Sequence, residues 1–193
     1  MRLKDCYNCS RPYELISKIL LPLENFTKTG DMFKTYKLYE NGGKVLLHKL
    51  ISKKQSDYKM LITTANEFAK QGKQVKVVSK LYYDPRGIND SSDYKILFRR
   101  LIGTAYEGKN PDFIINGYFY ELESFEPPFK KRKMSKMISR GAEQASGLII
   151  NNTKGSSDRY IKRLINDRIN KGINIDEVWL YEKGKVRLLF KKQ

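Results

Sequence analysis

The chain has 193 residues, of which 40% are hydrophobic, and its 38 Lys and Arg against 21 Asp and Glu give a net charge of +17. This length allows one domain of moderate size with a packed core. No run of about 18 apolar residues is present, which argues against a membrane-spanning helix, and Asp5, Asn8, Arg11 and Glu14 interrupt the apolar centre that a signal peptide needs. We therefore expect a protein that acts in the cytoplasm and does not insert into membranes.

The excess of cations predicts an anionic partner. A domain this basic has the charge of a nucleic-acid-binding protein, because Lys and Arg that contact phosphates gain affinity by releasing counterions. Its 13 Tyr and 9 Phe add rings on which unpaired bases can stack. The alternatives are a lysine-rich surface that binds nothing and an attraction to an anionic membrane surface. Nucleic acid is the partner that the composition favours.

Residues 1–56 are predicted to form an N-terminal extension that packs on the core. They contain the only two cysteines, Cys6 and Cys9, whose CxxC spacing fits half a zinc site or a redox pair. A second CxxC is missing from the sequence, so two reduced cysteines are the simpler interpretation. Apolar periodicity predicts a helix over 11–24, and strands are predicted over 33–39 and 44–51.

Residues 57–193 are predicted to form the main domain, although one continuous domain is also compatible with the sequence. The predicted elements are a helix over 57–71, a strand over 74–81, a mobile loop over 82–95, a short helix or loop over 96–109, a hairpin over 112–124, a helix over 134–146, a strand over 148–150, a helix over 158–171 and a hairpin of 177–181 with 185–190. From residue 112 onwards the order is ββ-α-β-α-ββ. Single helices between strands favour an α+β, or mixed α/β, fold with a central mixed or antiparallel sheet.

The hairpin over 112–124 carries the strongest functional signal. Asn116-Gly117 between alternating apolar residues is typical of a two-residue hairpin turn. Such a turn brings Asp112 and Glu121 together on neighbouring strands, where paired acids suit metal binding or proton transfer. A basic segment follows directly, formed by Lys130, Lys131, Arg132, Lys133, Lys136 and Arg140. Acids beside so many cations predict chemistry on a polyanion.

Three segments of the C-terminal half carry a family resemblance. They are Asn-Pro-Asp-Phe-Ile-Ile-Asn-Gly with Glu-Leu-Glu-Ser, then Gly-Ala-Glu-Gln-Ala-Ser-Gly-Leu-Ile-Ile, and finally Glu-Val-Trp-Leu-Tyr with Lys-Val-Arg-Leu. With them, residues 110–192 resemble the C-terminal toxin domain of contact-dependent inhibition proteins, the CdiA-type tRNA nucleases of the barnase/EndoU/colicin/RelE-type fold. The resemblance implies a ribonuclease that cuts tRNA without a metal cofactor, and it allows an acidic immunity or antitoxin protein as a partner. The family pattern ends its second strand in Glu-x-Lys, whereas this chain has Glu123 in the lysine position.

The same hairpin also resembles a second family. Pro111-Asp112 with an acid on the next strand is similar to the PD-(D/E)xK nucleases, whose core order α-β-β-β-α-β matches the elements predicted from residue 57 to residue 150. That resemblance implies that Asp112 and Glu121 bind Mg²⁺, with Glu67 of the preceding helix as a third carboxylate. Hard cations take such oxygen ligands and activate water for attack on a phosphodiester. Since Glu123 again replaces the lysine, Lys133 and Lys136 are candidates for the missing cation.

The hypothesis that the sequence favours is a nuclease that cleaves RNA, and tRNA above all. His48, the only histidine, is a candidate general base or acid because imidazole titrates near neutral pH. His48 or Glu121 would take the proton of the 2′-OH. The full set of candidates comprises Asp112, Glu121, His48 and Lys136 for catalysis, and Lys130, Lys131, Arg132, Lys133, Arg140 and Arg163 for holding phosphates. The alternatives are a Mg²⁺-dependent DNA nuclease and, because of Glu123, a nucleic-acid-binding protein without catalysis.

Overall fold

The computed structural model describes residues 32–124, 131–153 and 155–193, without the side chains of residues 131 and 132. The predicted helix over 11–24, the Cys6–Cys9 pair and Lys130 lie outside the described residues, as do the side chains of Lys131 and Arg132. The predictions that concern them stay predictions.

The core of the fold is one eight-stranded sheet in which strand order follows chain order. Its strands are β1 (Phe33–Leu38), β2 (Lys44–His48), β3 (Gln74–Val77), β4 (Phe113–Ile115), β5 (Tyr118–Ser124), β6 (Gly147–Asn151), β7 (Glu177–Glu182) and β8 (Lys185–Lys191). The helices are α1 (Tyr58–Ala69), α2 (Ser92–Leu97), α3 (Lys131–Ala142) and α4 (Asp158–Asn170). The pairs β2–β3, β5–β6 and β6–β7 are parallel and the other neighbours are antiparallel, so the sheet is mixed. The predicted α+β class and the ββ-α-β-α-ββ order are confirmed.

Helices cover both faces of this sheet. α1 packs on one face, the α1 face, where Leu61, Ala65 and Phe68 meet apolar side chains of β2–β8. The opposite face, the α3 face, holds two separate apolar clusters. α2 and the 3-10 turn Arg99–Leu101 cover β1–β5, while α3 and α4 cover β6–β8. The strip of the α3 face along β5 lies between these two clusters, and neither cluster includes Glu121.

Alternation along β5 decides which side chains reach that strip. Tyr120 and Leu122 belong to the cluster under α1. Because successive strand residues point to opposite faces, Phe119, Glu121 and Glu123 lie on the α3 face. Phe119 packs at the edge of the α2 cluster, and Glu123 is buried beside α3. Glu121 therefore lies between the two clusters.

The turn between β4 and β5 has the predicted hairpin form. Asn116 has φ of 48° and Gly117 has φ of 85°, the left-handed conformations that a two-residue turn of this kind requires. The side-chain oxygen of Asn116 accepts the backbone N–H of Gln74 at 2.9 Å, and Arg100 donates to the carbonyl oxygen of Gly117 at 2.9 Å. Neighbouring elements thus hold both ends of the turn, which fixes the register of β4 against β5.

Several predicted boundaries differ from the structure. The mobile loop predicted over 82–95 is wrong at its end, because Ser92–Leu97 forms α2 and the polar run before it supplies the helix start, where Asp90 accepts the backbone N–H of Ser92 at 2.8 Å. Asp84 organises the loop itself by accepting the N–H groups of Arg86 and Asn89, both at 2.9 Å. α3 begins three residues before the predicted start at 134 and ends at Ala142. Beyond it, the chain must turn at once so that Gly147 can begin β6 against β5.

The parts of the chain that the structure describes contain no helix long and apolar enough to cross a membrane. β1 and β2, which fall within the predicted extension over residues 1–56, are strands of the same sheet as the rest.

Candidate active site

Asp112 and Glu121 lie opposite each other on the α3 face. Phe113 pairs with Tyr120 and Ile114 with Phe119, so the same antiparallel register, continued by one residue, sets Asp112 against Glu121. The backbone N–H of Leu122 donates to the Asp112 carboxylate at 3.0 Å, which ties the start of β4 to the middle of β5. Cross-strand neighbours have Cβ atoms about 5 Å apart. The prediction that the two acids share one end of the hairpin is confirmed by this pairing.

The two carboxyls are buried close to each other, and the pKa of each is raised. Burial raises the pKa of Asp112 to about 6 and that of Glu121 to about 9. The charge of Asp112 also raises the pKa of Glu121. One oxygen of Glu121, Oε2, is buried without a hydrogen-bond partner among the described residues. Two carboxyls in such contact titrate as a unit, and their repulsion disfavours the state in which both are ionised.

Two further charged groups act on the pair from neighbouring elements. Asp57, the N-cap residue of α1, raises the pKa of Asp112 by its negative charge. Lys80, which follows the end of β3, lowers the pKa of both Asp112 and Glu121. A hydrogen bond places the end of β3 at the acid pair, because the backbone N–H of Val78 donates to the carbonyl oxygen of Asp112 at 2.9 Å.

Glu123 is held by an ion pair of its own. Arg140 of α3 donates from Nε to Oε1 at 3.1 Å and from Nη2 to Oε2 at 2.5 Å. The Glu123 side chain is 4% exposed and that of Arg140 is 68% exposed, so the arginine closes the solvent side of a buried carboxylate. α3 comes this close because residue 141 is glycine, since a Cβ there would lie 2.8 Å from Cγ of Glu123. Both oxygens of Glu123 are thus occupied.

The carboxylate oxygens of the pair are possible ligands for a divalent cation. Within the described residues, no group of three or more carboxylate, imidazole or thiol side chains could hold a metal ion. Mg²⁺, however, is commonly bound by only one or two carboxylates together with waters and substrate phosphates. Asp112 and Glu121 supply two carboxylates, and the unpartnered Oε2 of Glu121 is an oxygen that a cation would satisfy. The pair fits Mg²⁺ in this two-carboxylate manner.

His48 lies away from this pair. The register of β2, β3 and β4 puts it in the same cross-strand row as Asp112, but Val78 stands between them. With strands about 4.8 Å apart, His48 is about 14 Å across the sheet from Glu121. Its ring is buried, packs edge-on against Phe33 with centroids 5.4 Å apart and accepts the N–H of Leu50 at Nδ1. Burial lowers the pKa of His48, so it is a neutral core side chain.

Glu67 is also separated from the acids. It forms an ion pair with Lys70 on α1, which packs on the face opposite to Glu121. A helix rises about 1.5 Å per residue, so Glu67 lies about 15 Å along α1 from Asp57. The carboxylate that α1 contributes near Asp112 is Asp57.

The predicted phosphate-binding residues fall into two groups. Lys133, Lys136 and Arg140 lie on α3, with exposed side chains on the same element that packs beside Glu123. Arg163 lies on α4, exposed, with its guanidinium 5.3 Å from the centre of the Tyr160 ring. α4 packs against α3 and β8, so Arg163 belongs to a surface that is farther from the hairpin.

Sequence reasoning missed Asp57 and Lys80. Asp57 is the first residue of the predicted helix over 57–71, and Lys80 lies within the predicted strand over 74–81. A signal was present, because the order α-β-β-β places a helix start and a strand end beside the hairpin. The order of the elements does not show which charged side chains at these positions lie near the acids.

No protein-family model matches the chain, and comparisons with curated proteins and with solved structures gave no match.

Proposed function

We propose that this chain is a metal-dependent nuclease whose active site is built on Asp112 and Glu121. The observation that carries the proposal is the acid pair across β4 and β5. It lies within the order α1-β3-β4-β5-α3-β6, interrupted by α2 between β3 and β4, in which β3, β4 and β5 are antiparallel and β6 is parallel to β5. The position of His48, three strands from Glu121, removes His48 as the general base of a metal-free mechanism at this pair and leaves Glu121 in that role. RNA, and tRNA above all, is the substrate we expect, with DNA as the alternative to be measured beside it.

The chemistry divides between the pair and its neighbours. A bound Mg²⁺ would supply Lewis acidity at the scissile phosphate and a water of lowered pKa. Asp112 and Glu121 would hold the cation, and their raised pKa values mean that protons would compete for the same oxygens. Asp57 adds negative charge at the same place, which favours a cation there.

Lys80 would supply the positive charge of the lysine that is absent at position 123. Its charge acts on both acids, which supports Lys80 as the cation of the site, supplied from the residues after β3 instead of from β5. An exposed Lys beside a reacting phosphate stabilises the extra negative charge that develops during displacement. Glu123 serves a different purpose, since Arg140 binds both its oxygens and so joins β5 to α3.

Cleavage of tRNA and of plasmid DNA, with Mg²⁺ and with EDTA, tests the proposal. Glu121→Gln keeps the size of the side chain but removes its charge, so we expect cleavage to fall by about 10²–10⁴ while the protein stays folded. Glu143→Gln, which changes an exposed glutamate beyond the end of α3, is the matched control and should cleave like the parent. His48→Gln should also leave the cleavage rate nearly unchanged.

Glu123, which stands where both nuclease families have a lysine, favours a second candidate function. If the missing lysine abolishes catalysis, the chain is a nucleic-acid-binding protein. The parent would then bind tRNA and never cut it under either condition, and Glu121→Gln would bind equally well. Cleavage that persists in EDTA and in Glu121→Gln would contradict the metal-dependent proposal.

A further inference from the structure

A cleft of about 710 Å³ opens at the end of the sheet opposite to the acid pair. One wall is the β4–β5 turn around Gly117, and the other is formed by the start of β7 and the end of β8. Between them, β6 begins only at Gly147, where an added Cβ would lie 2.5 Å from Cδ1 of Tyr120. This volume falls in the usual range of small-ligand pockets, about 300–1,000 Å³.

Aromatic rings form much of the lining. Tyr118 is 61% exposed at the rim, next to the turn. Deeper in the cleft, Trp179 is 9% exposed, and its ring contacts that of Phe68 at a centroid distance of 5.0 Å. The ammonium of Lys73 lies 4.9 Å from the centre of the Trp179 ring. An exposed flat ring at the rim can stack on a base, and a cation beside a ring inside the cleft can attract a phosphate.

The charge of the lining is also positive. Four cations line the cleft, namely Lys73, Arg100, Lys191 and Lys192, against the two carboxylates Asp176 and Glu177. Glu177 is already engaged by the Tyr120 hydroxyl and by Lys191, whose ammonium is 3.7 Å away. With the Lys191–Glu177 pair set aside, Lys73, Arg100 and Lys192 remain against Asp176, which favours an anionic ligand.

We propose that this cleft binds unpaired nucleotides of a nucleic-acid chain, with bases stacked on Tyr118 and phosphates held by Arg100 and Lys73. The proposal rests on the proposed function in treating that chain as the substrate of the acid pair. Phe119, which lines the cleft, and Glu121 are consecutive residues of one face of β5, about 7 Å apart along the strand. One strand thus runs from the cleft to the acids, so a single-stranded segment can contact both. Bases of a duplex are paired and stacked on each other, so we expect them not to offer a free face to Tyr118.

The only tryptophan of the chain makes the test direct. Trp179 lines the cleft, so a short oligouridylate added in EDTA, which prevents metal-dependent cleavage, should quench its fluorescence in a saturable manner. Tyr118→Leu removes the ring but keeps an apolar side chain, and should weaken the affinity about tenfold, as loss of a stacking residue does. Arg100→Gln should weaken it as well. The matched controls are Tyr36→Leu, an exposed tyrosine of β1, and Arg99→Gln, the neighbour that does not line the cleft.

The outcomes separate the two proposals. Glu121→Gln should bind the oligouridylate as the parent does, because the acid pair is not needed for binding in the cleft. Quenching that Tyr118→Leu and Arg100→Gln leave unchanged, or that a DNA duplex of equal length produces with equal affinity, would overturn the cleft proposal. A parent that binds in the cleft but never cuts nucleic acid would leave the cleft proposal standing and remove the nuclease. Circular dichroism of Arg100→Gln checks its fold, since Arg100 also holds the turn at Gly117.

Discussion

Asp112 and Glu121 face each other across β4 and β5, and the backbone N–H of Leu122 binds the Asp112 carboxylate from the partner strand. This hydrogen bond favours the ionised form of Asp112. The negative charge of Asp112 then acts on Glu121, which has a buried oxygen without a described partner. The two acids are thus unequal, and Glu121 is the one that retains its proton to higher pH.

The raised pKa of Glu121 predicts a pH-dependent stability. Its pKa lies at 4.5 in a solvated chain and near about 9 in the fold, so between these values the folded state holds a proton that the unfolded state has released. The contribution of Glu121 is therefore fully present below about pH 4.5 and is lost as pH rises towards about 9, by at most about 1.4 kcal/mol per pH unit. Urea denaturation of the parent and of Glu121→Gln measures this. The variant should gain stability over the parent as pH rises, and a difference that is independent of pH would refute the shift.

Divalent cations should restore the stability that is lost when Glu121 ionises at high pH. Mg²⁺ or Mn²⁺ lets both acids ionise together, so either ion should raise the melting temperature more at about pH 8 than at about pH 5. Glu121→Gln should lose this stabilisation, whereas Glu143→Gln should keep it. Thermal melts with and without EDTA give the comparison, and this readout does not depend on cleavage. Equal stabilisation of both variants would place the cation elsewhere.

Removing Arg140 and removing Glu123 from their ion pair should lower the free energy of unfolding by unequal amounts. Arg140→Ala leaves a buried carboxylate without its arginine, and we expect it to destabilise the fold by about 1–3 kcal/mol, reduced from the value for a fully buried pair because Arg140 is exposed. Glu123→Gln leaves an arginine that water can solvate, so it should cost less. Arg163→Ala, at an exposed position of α4, is the control and should stay within about 0.5 kcal/mol of the parent. Chemical denaturation ranks the three, and a larger loss for Glu123→Gln would contradict the expected order.

The basic segment before and within α3 should bind phosphates. Replacing Lys130, Lys131, Arg132 and Lys133 with Ser should weaken tRNA binding and flatten the dependence of affinity on salt, because fewer counterions are released. Filter binding at several salt concentrations measures both quantities. Replacement of Lys183 and Lys185, exposed cations of the β7–β8 hairpin, provides a control with a smaller charge change. A dissociation constant that is unchanged at low salt would remove the segment from the interface.

Local sequence patterns predicted the parts of the fold that depend on neighbouring residues. Asn116-Gly117 predicted the hairpin, and the hairpin register predicted that Asp112 meets Glu121. The site was only half predictable, because Asp57 and Lys80 reach it through tertiary packing of α1 and β3. His48 was a reasonable candidate by chemistry. Its distance from Glu121 depends on the parallel pairing of β2 with β3, two strands that α1 connects. The periodicity of a single strand does not show which strand it pairs with.

The strand order has a consequence for how the chain acquires its structure. Each described strand pairs only with the described strands immediately before and after it in the sequence, and the widest gap between partners runs from Val77 of β3 to Phe113 of β4. Low separation between partners speeds folding and shortens the time for which an unpaired strand edge is exposed. The described sheet can therefore grow strand by strand in chain order as the chain emerges from a ribosome. On that route the acid pair forms with the β4–β5 hairpin, before the strands that complete the cleft have arrived.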